Sequence, residues 1–285
     1  MANVIEIRNL NKRYKDFWLK NISLSVPAGS VMGLIGENGA GKSTLIESIL
    51  NMTECEYEEM MVFGKDIREY EKEIKEDIAV IFDNTHYNLN FSPVFIGKML
   101  EKVYQRWDMN LYYEYLEQFG IPKKKKLKEF SRGMKMKLEF AIAFSHDAKL
   151  LILDEATSGL DPVFRDEMLE ILRAYTEEEN HTILMSSHIT SDLDKIADYI
   201  AYIHDGELLF VKNYDEVHEN YGILNCNREM LEALDPDDVI AYRKETYSYK
   251  VMVKNRFEIQ KNIKDLEIER ASIEDVMLYY AKGEK

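Results

Sequence analysis

The sequence lacks the features that mark secreted and membrane-spanning proteins. It has only two cysteines among 285 residues, too few for a disulfide framework, which favours a reducing compartment such as the cytosol. No apolar run approaches the roughly 18–20 residues that a helix needs to cross a bilayer. The first residues, MANVIEIRNLNKRYK, lack the apolar core of a signal peptide. We therefore expect neither a secreted chain nor a membrane-spanning one.

Positive charge is also in short supply. The chain has 37 Lys and Arg against 52 Asp and Glu, a formal net charge of −15. Because nucleic acids and anionic membranes attract basic proteins, such a chain is a poor candidate for binding either through its overall field. We therefore expect no nucleic-acid partner. The hydrophobic fraction of 46 % is sufficient for a folded core.

Three apolar runs of strand length predict a sheet that is buried on both faces. Residues 31–35 and 150–153 are almost wholly apolar, and residues 181–187, HTILMSS, have an apolar centre, as in parallel strands that are covered by helices on each side. An amphipathic helix is predicted over residues 163–175, so a right-handed crossover connects the second and third runs. Before the first run, alternation of apolar and polar side chains indicates half-buried strands.

The remaining sequence divides into a helical stretch and a C-terminal region. Apolar side chains recur at helical spacing within residues 84–147. The pattern changes after about residue 212, with one predicted strand over residues 246–253 and a short helix over residues 272–280. We therefore predict two domains, residues 1–212 and residues 213–285, of which the second is a small α+β unit.

A glycine-rich motif follows the first apolar run. Residues 36–44, GENGAGKST, match the P-loop pattern GxxxxGK[ST], and they lie between a strand and a helix as this motif requires. Its backbone N–H groups and the helix dipole favour phosphate oxygens. We expect Lys42 to reach the β- and γ-phosphates and Ser43 to bind Mg²⁺. The predicted phosphate-binding residues are Gly36, Asn38, Gly39, Ala40, Gly41, Lys42, Ser43 and Thr44.

Two carboxylates end the second apolar run. Asp154 and Glu155 come directly after it, and ligands bind at the carboxyl ends of parallel strands. Asp154 is placed to hold Mg²⁺, through water. Glu155 is placed to polarise an attacking water as a general base. Together with the P-loop, these residues predict nucleotide hydrolysis.

At this point the sequence resembles the nucleotide-binding subunit of an ATP-binding-cassette (ABC) transporter. Residues 130–134, FSRGM, stand where the family carries its LSGGQ signature; Ser131 and Gly133 match, whereas Arg132 and Met134 depart from it. Residues 158–161, SGLD, match the D-loop of the family, and the strand HTILMSS ends at His188, like the strand before the family's switch histidine. The resemblance covers roughly residues 1–212.

The resemblance implies further roles for individual residues. Ser131, Gly133 and Asp161 would face the nucleotide that is bound by an opposite subunit. His188 would contact the γ-phosphate and orient the water with Glu155. Tyr14 lies at the position of the adenine-stacking aromatic, with Phe17 and Trp18 as nearby competitors.

The position of the family's Q-loop glutamine differs in this sequence. Residues 78–83, IAVIFD, align with that loop, and the glutamine position is Asp83. An aspartate can still ligate Mg²⁺. Asn84 would take this place if the register shifts by one residue. The resemblance therefore implies a magnesium site made by Ser43, Asp154 and Asp83.

The resemblance also implies a fold and partners. The fold class is α/β: a P-loop NTPase sheet with an antiparallel β-subdomain, a helical subdomain over about residues 84–147, and the C-terminal α+β appendage. Two copies, or one copy and a homologue, would sandwich ATP and Mg²⁺ head to tail. They would drive separate transmembrane permease subunits from the inner face of the cell membrane, with the permease received beside the Q-loop. The stretches FSRGMKMKL and SSHITSDLDKIADYI look most like ATPase subunits of Gram-positive exporters, such as the phenol-soluble-modulin exporter.

Two alternatives stay open at this stage. A non-transport cassette ATPase acting on ribosomes or in DNA repair is disfavoured by the single cassette and the net charge of −15. A regulator that binds ATP without turnover is disfavoured because Lys42, Asp154, Glu155 and His188 are all present.

Overall fold

The structure, a computed structural model, describes residues 2–177, 181–263 and 266–284. The strands are β1 (Asn3–Arg13), β2 (Trp18–Pro27), β3 (Val31–Ile35), β4 (Glu59–Val62), β5 (Lys65–Asp66), β6 (Ile78–Ile81), β7 (Leu150–Asp154), β8 (Thr182–Ser186), β9 (Tyr199–His204), β10 (Glu207–Asn213), β11 (Gly222–Cys226), β12 (Val239–Lys244), β13 (Tyr249–Val253) and β14 (Ile268–Arg270). The helices are α1 (Lys42–Ile49), α2 (Glu71–Glu76), α3 (Pro93–Leu100), α4 (Met109–Gln118), α5 (Arg132–Ala143), α6 (Pro162–Glu177), α7 (Thr190–Ile196), α8 (Tyr214–Asn220), α9 (Arg228–Ala233), α10 (Arg256–Asn262) and α11 (Ile273–Lys282), with a 3₁₀ turn at Leu127–Glu129.

A six-stranded sheet forms the centre of the molecule, in the order β10-β9-β3-β8-β7-β6. The five strands from β9 to β6 are parallel, and β10 pairs antiparallel with β9 through a turn at Asp205 and Gly206. Every residue of β3, β7 and β8 is buried, as expected for strands covered on both faces. The predicted α/β fold class and the crossover between the second and third apolar runs are confirmed.

An antiparallel sheet covers one face of the central sheet. Its strand order is β2-β1-β4-β5. The alternate residues Ile22, Leu24 and Val26 of β2 are buried, because only one face of this sheet meets the core. They pack with α1 and with residues of β3, β7 and β8 in one hydrophobic cluster.

Helices cover the other face of the central sheet. The stretch predicted to be helical, residues 84–147, contains α3, α4, the 3₁₀ turn and α5, whereas residues 84–92 form neither helix nor strand. Helices α3 and α4 begin at side-chain caps: Ser92 accepts a hydrogen bond from Phe95 N, and Asp108 accepts bonds from the backbone N–H groups of Asn110 and Leu111. Such caps satisfy backbone donors that the helix leaves free.

The C-terminal residues form a third sheet, in the order β12-β13-β11-β14. A small hydrophobic cluster packs on it. Part of this region also joins the large cluster on the helical face of the central sheet, through Ile240, Met252 and the α11 residue Tyr279. Tyr202 of β9 donates a hydrogen bond to the backbone oxygen of Met277 over 3.1 Å. The C-terminal region and the central sheet therefore share one core. Within the described ranges no helix combines the length and apolarity that crossing a bilayer demands.

Candidate active site

The carboxyl ends of three neighbouring strands create the candidate site. Strand β8 lies between β3 and β7, and Ser186 pairs in register with Leu34 on one side and Asp154 on the other. The loop of residues 36–44 leaves β3 at this edge, as Asp154 ends β7. The sheet therefore brings the P-loop and the predicted carboxylates together, as parallel topology requires.

Close backbone approach explains two of the loop glycines. A side chain at Gly36 would place its Cβ 2.4 Å from the backbone oxygen of Ile203. At Gly41, the φ angle is +115°, and a Cβ would lie 2.8 Å from the Phe17 ring. A larger residue would clash at both positions and would be strained at Gly41. The loop can therefore turn tightly into α1 only with glycine at these two places.

The Lys42 ammonium group is buried within the loop. Its Nζ donates hydrogen bonds to the backbone oxygens of Gly36, over 2.8 Å, and Glu37, over 3.2 Å. The Glu155 carboxylate lies 3.6 Å away, at Oε1. These partners compensate the burial of a charge that would otherwise be costly. The Lys42 ammonium group is thus held against the backbone of the loop, beside Glu155, the predicted general base.

Ser186 is a site residue that the sequence analysis missed. Its hydroxyl donates to Asp154 Oδ1 over 2.6 Å and accepts from Glu155 N over 3.2 Å. Its backbone oxygen also accepts from Glu155 N over 3.2 Å. Both predicted carboxylate residues are therefore fixed by one fully buried serine. The two serines that follow the apolar residues of this run, Ser186 and Ser187, are the sequence signal that could have found it.

Glu155 and His188 are in direct contact. His188 Nδ1 is hydrogen-bonded to Glu155 Oε2, and the backbone N–H of His188 donates to the same oxygen over 3.3 Å. Glu155 has a φ angle of +55°, which is uncommon outside glycine and occurs at functional sites. The structure therefore brings the predicted base and the predicted switch histidine together.

The turn after Glu155 is anchored by a buried carboxylate. Thr157 Oγ1 donates to Asp192 Oδ2 over 2.7 Å, and Arg165 Nε donates to Asp192 Oδ1 over 2.7 Å. Asp192 lies in the first turn of α7, shortly after His188. This network ties the turn, α6 and α7 to one another. Sequence reasoning did not find it, since its members lie far apart in the chain.

A cleft of about 780 Å³ opens over the P-loop. Tyr14 lies at its rim, and Lys12 Nζ is 4.8 Å from the centroid of the Tyr14 ring. The ring of Phe17 also lines the cleft, whereas Trp18 does not, so two of the three aromatic candidates for base stacking are present. The cleft is lined by Tyr14, Lys15, Asp16, Phe17, Asn38, Gly39, Gly41, Lys42, Ser43, Thr44 and Glu155.

Three further predicted residues lie outside this cleft. The Ser131 hydroxyl accepts a hydrogen bond from Met134 N over 3.2 Å and caps α5, and Gly133 follows in the first turn. Asp161 Oδ1 accepts from Phe164 N over 3.0 Å at the start of α6. All three therefore lie at helix N-termini, which favour negative charge, but not at the P-loop of their own chain.

Asp83 and Asn84 occupy the exposed loop after β6. The Asn84 side-chain amide donates to Asp83 Oδ2 over 2.8 Å. Of the residues that the structure describes, no group of three or more His, Cys, Asp or Glu side chains could hold a metal ion. Mg²⁺ in nucleotide sites is held by one or two protein oxygens together with phosphates and water. The Ser43 hydroxyl at the cleft and the Asp154 carboxylate at the end of β7 fit such a site.

The helical segment contains one strongly perturbed carboxyl group. Burial raises the pKa of Glu139 in α5 to about 7. A hydrogen bond from Thr85 opposes this change, while Glu139 Oε1 has no hydrogen-bond partner among the described residues. The side chain lies near the half-buried ring of Tyr87, in the loop after β6, and the buried ring of Tyr112. Sequence analysis gave no signal for it.

The chain is similar to known proteins in both sequence and structure. The family model described as "ABC transporter" matches residues 19–158. The bacitracin transport ATP-binding protein BcrA of Enterococcus faecalis is 33% identical over 222 residues, covering 77% of this chain and 72% of that protein. The lantibiotic transport ATP-binding protein SrtF of Streptococcus pyogenes is 34% identical over 215 residues, covering 74% and 92%. Among solved structures, cbiO1 from Clostridium perfringens, described as part of the ABC transporter complex cbiONQ, has a TM-score of 0.64 at 25% identity, covering 76% of this chain and 91% of that chain.

Proposed function

The chain belongs to the ABC transporter family, as an ATP-hydrolysing subunit of a transporter, and we propose that it powers export of a peptide or antimicrobial compound. The names of two relatives refer to transport of bacitracin and of lantibiotics, and this supports a peptide-like substrate. The substrate would be bound by a separate permease, and this chain would supply the ATPase.

The observation that carries the catalytic assignment is the cluster of Lys42, Glu155 and His188 at one edge of the central sheet. Lys42 binds the β- and γ-phosphates, where its charge offsets that of the nucleotide. Glu155 accepts a proton from the attacking water, and His188 holds the Glu155 carboxylate in position. Tyr14 stacks on the adenine. The backbone of residues 36–44 cradles the phosphates.

Mg²⁺ fits the oxygen donors at this edge. We propose that Ser43 and Asp154 hold it, the latter through water, and that Asp83 or Asn84 adds a ligand from the loop after β6. The metal would neutralise charge on the β- and γ-phosphates. Ser186 donates to Asp154 Oδ1, so Oδ2 would be the oxygen that serves the metal-bound water.

A second nucleotide-binding subunit would complete the site. Ser131, Gly133 and Asp161 lie away from the P-loop cleft of their own chain, at the N-termini of α5 and α6. We propose that they contact the nucleotide bound by the opposite subunit in a head-to-tail dimer. The partner is a second copy of this chain or a homologue of it.

The helical segment is proposed to receive the permease. Leu89, Phe95 and Val103 expose large apolar side chains there, as protein interfaces require. The protein would lie at the inner face of the cell membrane through this contact. Residues 213–285 are proposed to form a small α+β unit that extends the ATPase domain of residues 1–212.

Loss of nucleotide binding tests this function most directly. Lys42→Ala removes the buried ammonium group, and we expect it to abolish Mg-ATP binding by calorimetry and ATP hydrolysis by phosphate release. Lys15→Ala, which removes another cation from the rim of the same cleft, is the matched control and should retain binding. Unchanged affinity in Lys42→Ala would contradict the P-loop assignment.

Copurification tests the transport role. A tagged chain extracted from membranes should bring down a polytopic protein, and that complex should hydrolyse ATP. Recovery of ribosomal or DNA-repair proteins instead would contradict the proposed role.

A further inference from the structure

The signature-like loop contains an arginine, Arg132, that contacts the turn after Glu155. We propose that Arg132 is a positioning residue that holds this turn, and with it Glu155, in place for ATP hydrolysis. The proposal rests on the role of Glu155 in the proposed function. It assigns a role to the residue at which the FSRGM sequence departs most from the family pattern.

The contact joins α5 to the turn before α6. Arg132 is the first residue of α5, and its Nη2 atom donates a hydrogen bond to Ser158 Oγ over 3.3 Å. The planar guanidinium also lies over Gly159: a Cβ built at Gly159 would be 3.1 Å from both Cζ and Nε of Arg132. Gly159 has a φ angle of +88°. Thus the turn offers Arg132 both an acceptor and a flat surface.

The same turn begins at Glu155. The backbone N–H of Ser158 donates to the backbone oxygen of Glu155 over 3.1 Å, which closes the turn on itself. Between Glu155 and Ser158, the Thr157 hydroxyl donates a hydrogen bond to the buried carboxylate of Asp192.

Ser186 and His188 hold Glu155 itself. Beyond Glu155, the turn has a buried side-chain anchor at Asp192 and an exposed one at Arg132. Removing the exposed anchor frees the turn on the side where α5 lies.

The geometry predicts an effect on turnover rather than on nucleotide affinity. Arg132 does not line the P-loop cleft of its own chain, whose lining includes Lys42 and Ser43. Unlike the proposed nucleotide contacts of Ser131 and Gly133 in the opposite subunit, the contacts of the Arg132 guanidinium are with Ser158 and Gly159 of its own chain. A small displacement of a catalytic group lowers the rate steeply, because reaction requires accurate alignment. An arginine suits this place better than a lysine, since its rigid planar group can donate a hydrogen bond and pack over glycine at once.

A double-mutant cycle in the ATPase reaction tests the proposal. Arg132→Ala is expected to lower kcat roughly three- to tenfold, while KM for ATP changes less than about twofold. Ser158→Ala should lower kcat in the same direction by a smaller factor. In the double variant, kcat should equal that of Arg132→Ala, because both changes break the same contact. Arg132→Lys keeps a charge and a donor but not the planar group, so its kcat should lie between those of wild type and Arg132→Ala.

Two comparisons make the result decisive. Lys135→Ala removes a cation one turn further along α5 and leaves the Arg132–Ser158 hydrogen bond intact, so its kcat should match wild type. Thermal unfolding of all variants checks that the fold is unchanged. Wild-type kcat in Arg132→Ala, or effects of the two single variants that multiply in the double variant, would overturn the proposal. If instead Lys42→Ala hydrolyses ATP normally, the proposed function itself fails.

Discussion

Two regions of this chain differ in whether their buried polar groups have hydrogen-bond or ion-pair partners. At the nucleotide edge of the central sheet, each important charge has partners: Lys42 has two backbone oxygens and a carboxylate, Asp154 has Ser186, and Glu155 has His188. In the helical segment of residues 84–147, by contrast, Glu139 Oε1 and Trp107 Nε1 are buried without a hydrogen-bond partner among the described residues.

The difference shows which region is organised in advance for its chemistry. Fixed partners at the nucleotide edge hold charges in position, so little rearrangement is needed when phosphates bind. An unpaired buried polar atom costs about 1–3 kcal/mol, so the helical segment is less stable than its apolar packing alone would make it. Removing a paired polar group should therefore be harmful at the nucleotide edge, whereas removing an unpaired one should be neutral or favourable in the helical segment.

The largest expected effect is at the nucleotide edge, in Glu155→Gln. The amide keeps the size of the side chain but cannot accept a proton from water, and loss of such a base costs on the order of 10²–10⁴ in rate. Nucleotide binding should survive, because Lys42 and Ser43 are untouched. The variant should therefore form an ATP-dependent dimer in sedimentation experiments and fail to reopen.

Glu37→Gln is the matched control for this change. Glu37 is an exposed carboxylate in the P-loop, residues 36–44. Its contact with Lys42 is through its backbone oxygen and not its carboxylate, so the hydrolysis rate of Glu37→Gln should stay close to wild type. Hydrolysis by Glu155→Gln at the wild-type rate would show that Glu155 is not the base.

The next effect, Glu139→Gln, lies in the helical segment and has the opposite sign. Burial raises the pKa of Glu139 from 4.5 to about 7, so its ionised form destabilises the folded state. Stability should fall as the pH rises from below 4.5 through 7, by about 3 kcal/mol at the most, because each tenfold change in an ionisation constant corresponds to about 1.4 kcal/mol. The neutral glutamine removes this loss.

Urea unfolding at two pH values measures this pH-dependent loss of stability. At pH about 8.5 the glutamine variant should be more stable than wild type, and at pH about 5 the two should be nearly equal. Equal pH dependence in both proteins would show that Glu139 does not ionise with the raised pKa.

The smallest expected effect is the loss of stability when a buried serine is replaced by alanine, and one such serine from each region can be compared. Ser186→Ala removes a donor to Asp154 and an acceptor for Glu155 N, so the free energy of unfolding should fall by about 1–3 kcal/mol. Ser145→Ala, in the helical segment, removes a hydroxyl that donates one hydrogen bond, to the backbone oxygen of Ala141 in α5, and it should cost less. Urea unfolding of both variants at one pH checks this, and a larger loss in Ser145→Ala would contradict the comparison.

Much of the nucleotide edge was predictable because short motifs encode it. The buried strands β3, β7 and β8 follow from apolar runs, and the α/β sheet they form is confirmed. Their topology brings Lys42, Glu155 and His188 together, although the roles of these residues remain proposals. What the sequence could not reveal are contacts between distant positions, such as Ser158 with Arg132. Such contacts depend on how the helices pack against one another, and the spacing of neighbouring residues in the sequence does not indicate that packing.

The C-terminal region was harder to predict for a different reason. Its strands are short, and only the pattern around residues 246–253 pointed to one; the structure has four, β11 to β14. Tyr247, placed on that strand by alternation, precedes β13 and is 96% exposed. Helix α11 was predicted over residues 272–280, and Ser272 and Asp275 form the capping box that starts it. Short strands carry too few residues for a reliable period.

The hydrogen bond between Tyr202 and Met277 matters for how genetic lesions in this chain are interpreted. Tyr280 packs its ring against Tyr202 and Phe210 of the central sheet. A premature stop codon after residue 212 would therefore leave those rings facing water and remove part of the core that supports the ATPase sheet. Loss of transport in such a truncated allele would reflect misfolding of the enzyme. It would not reveal a separate regulatory task for the deleted residues.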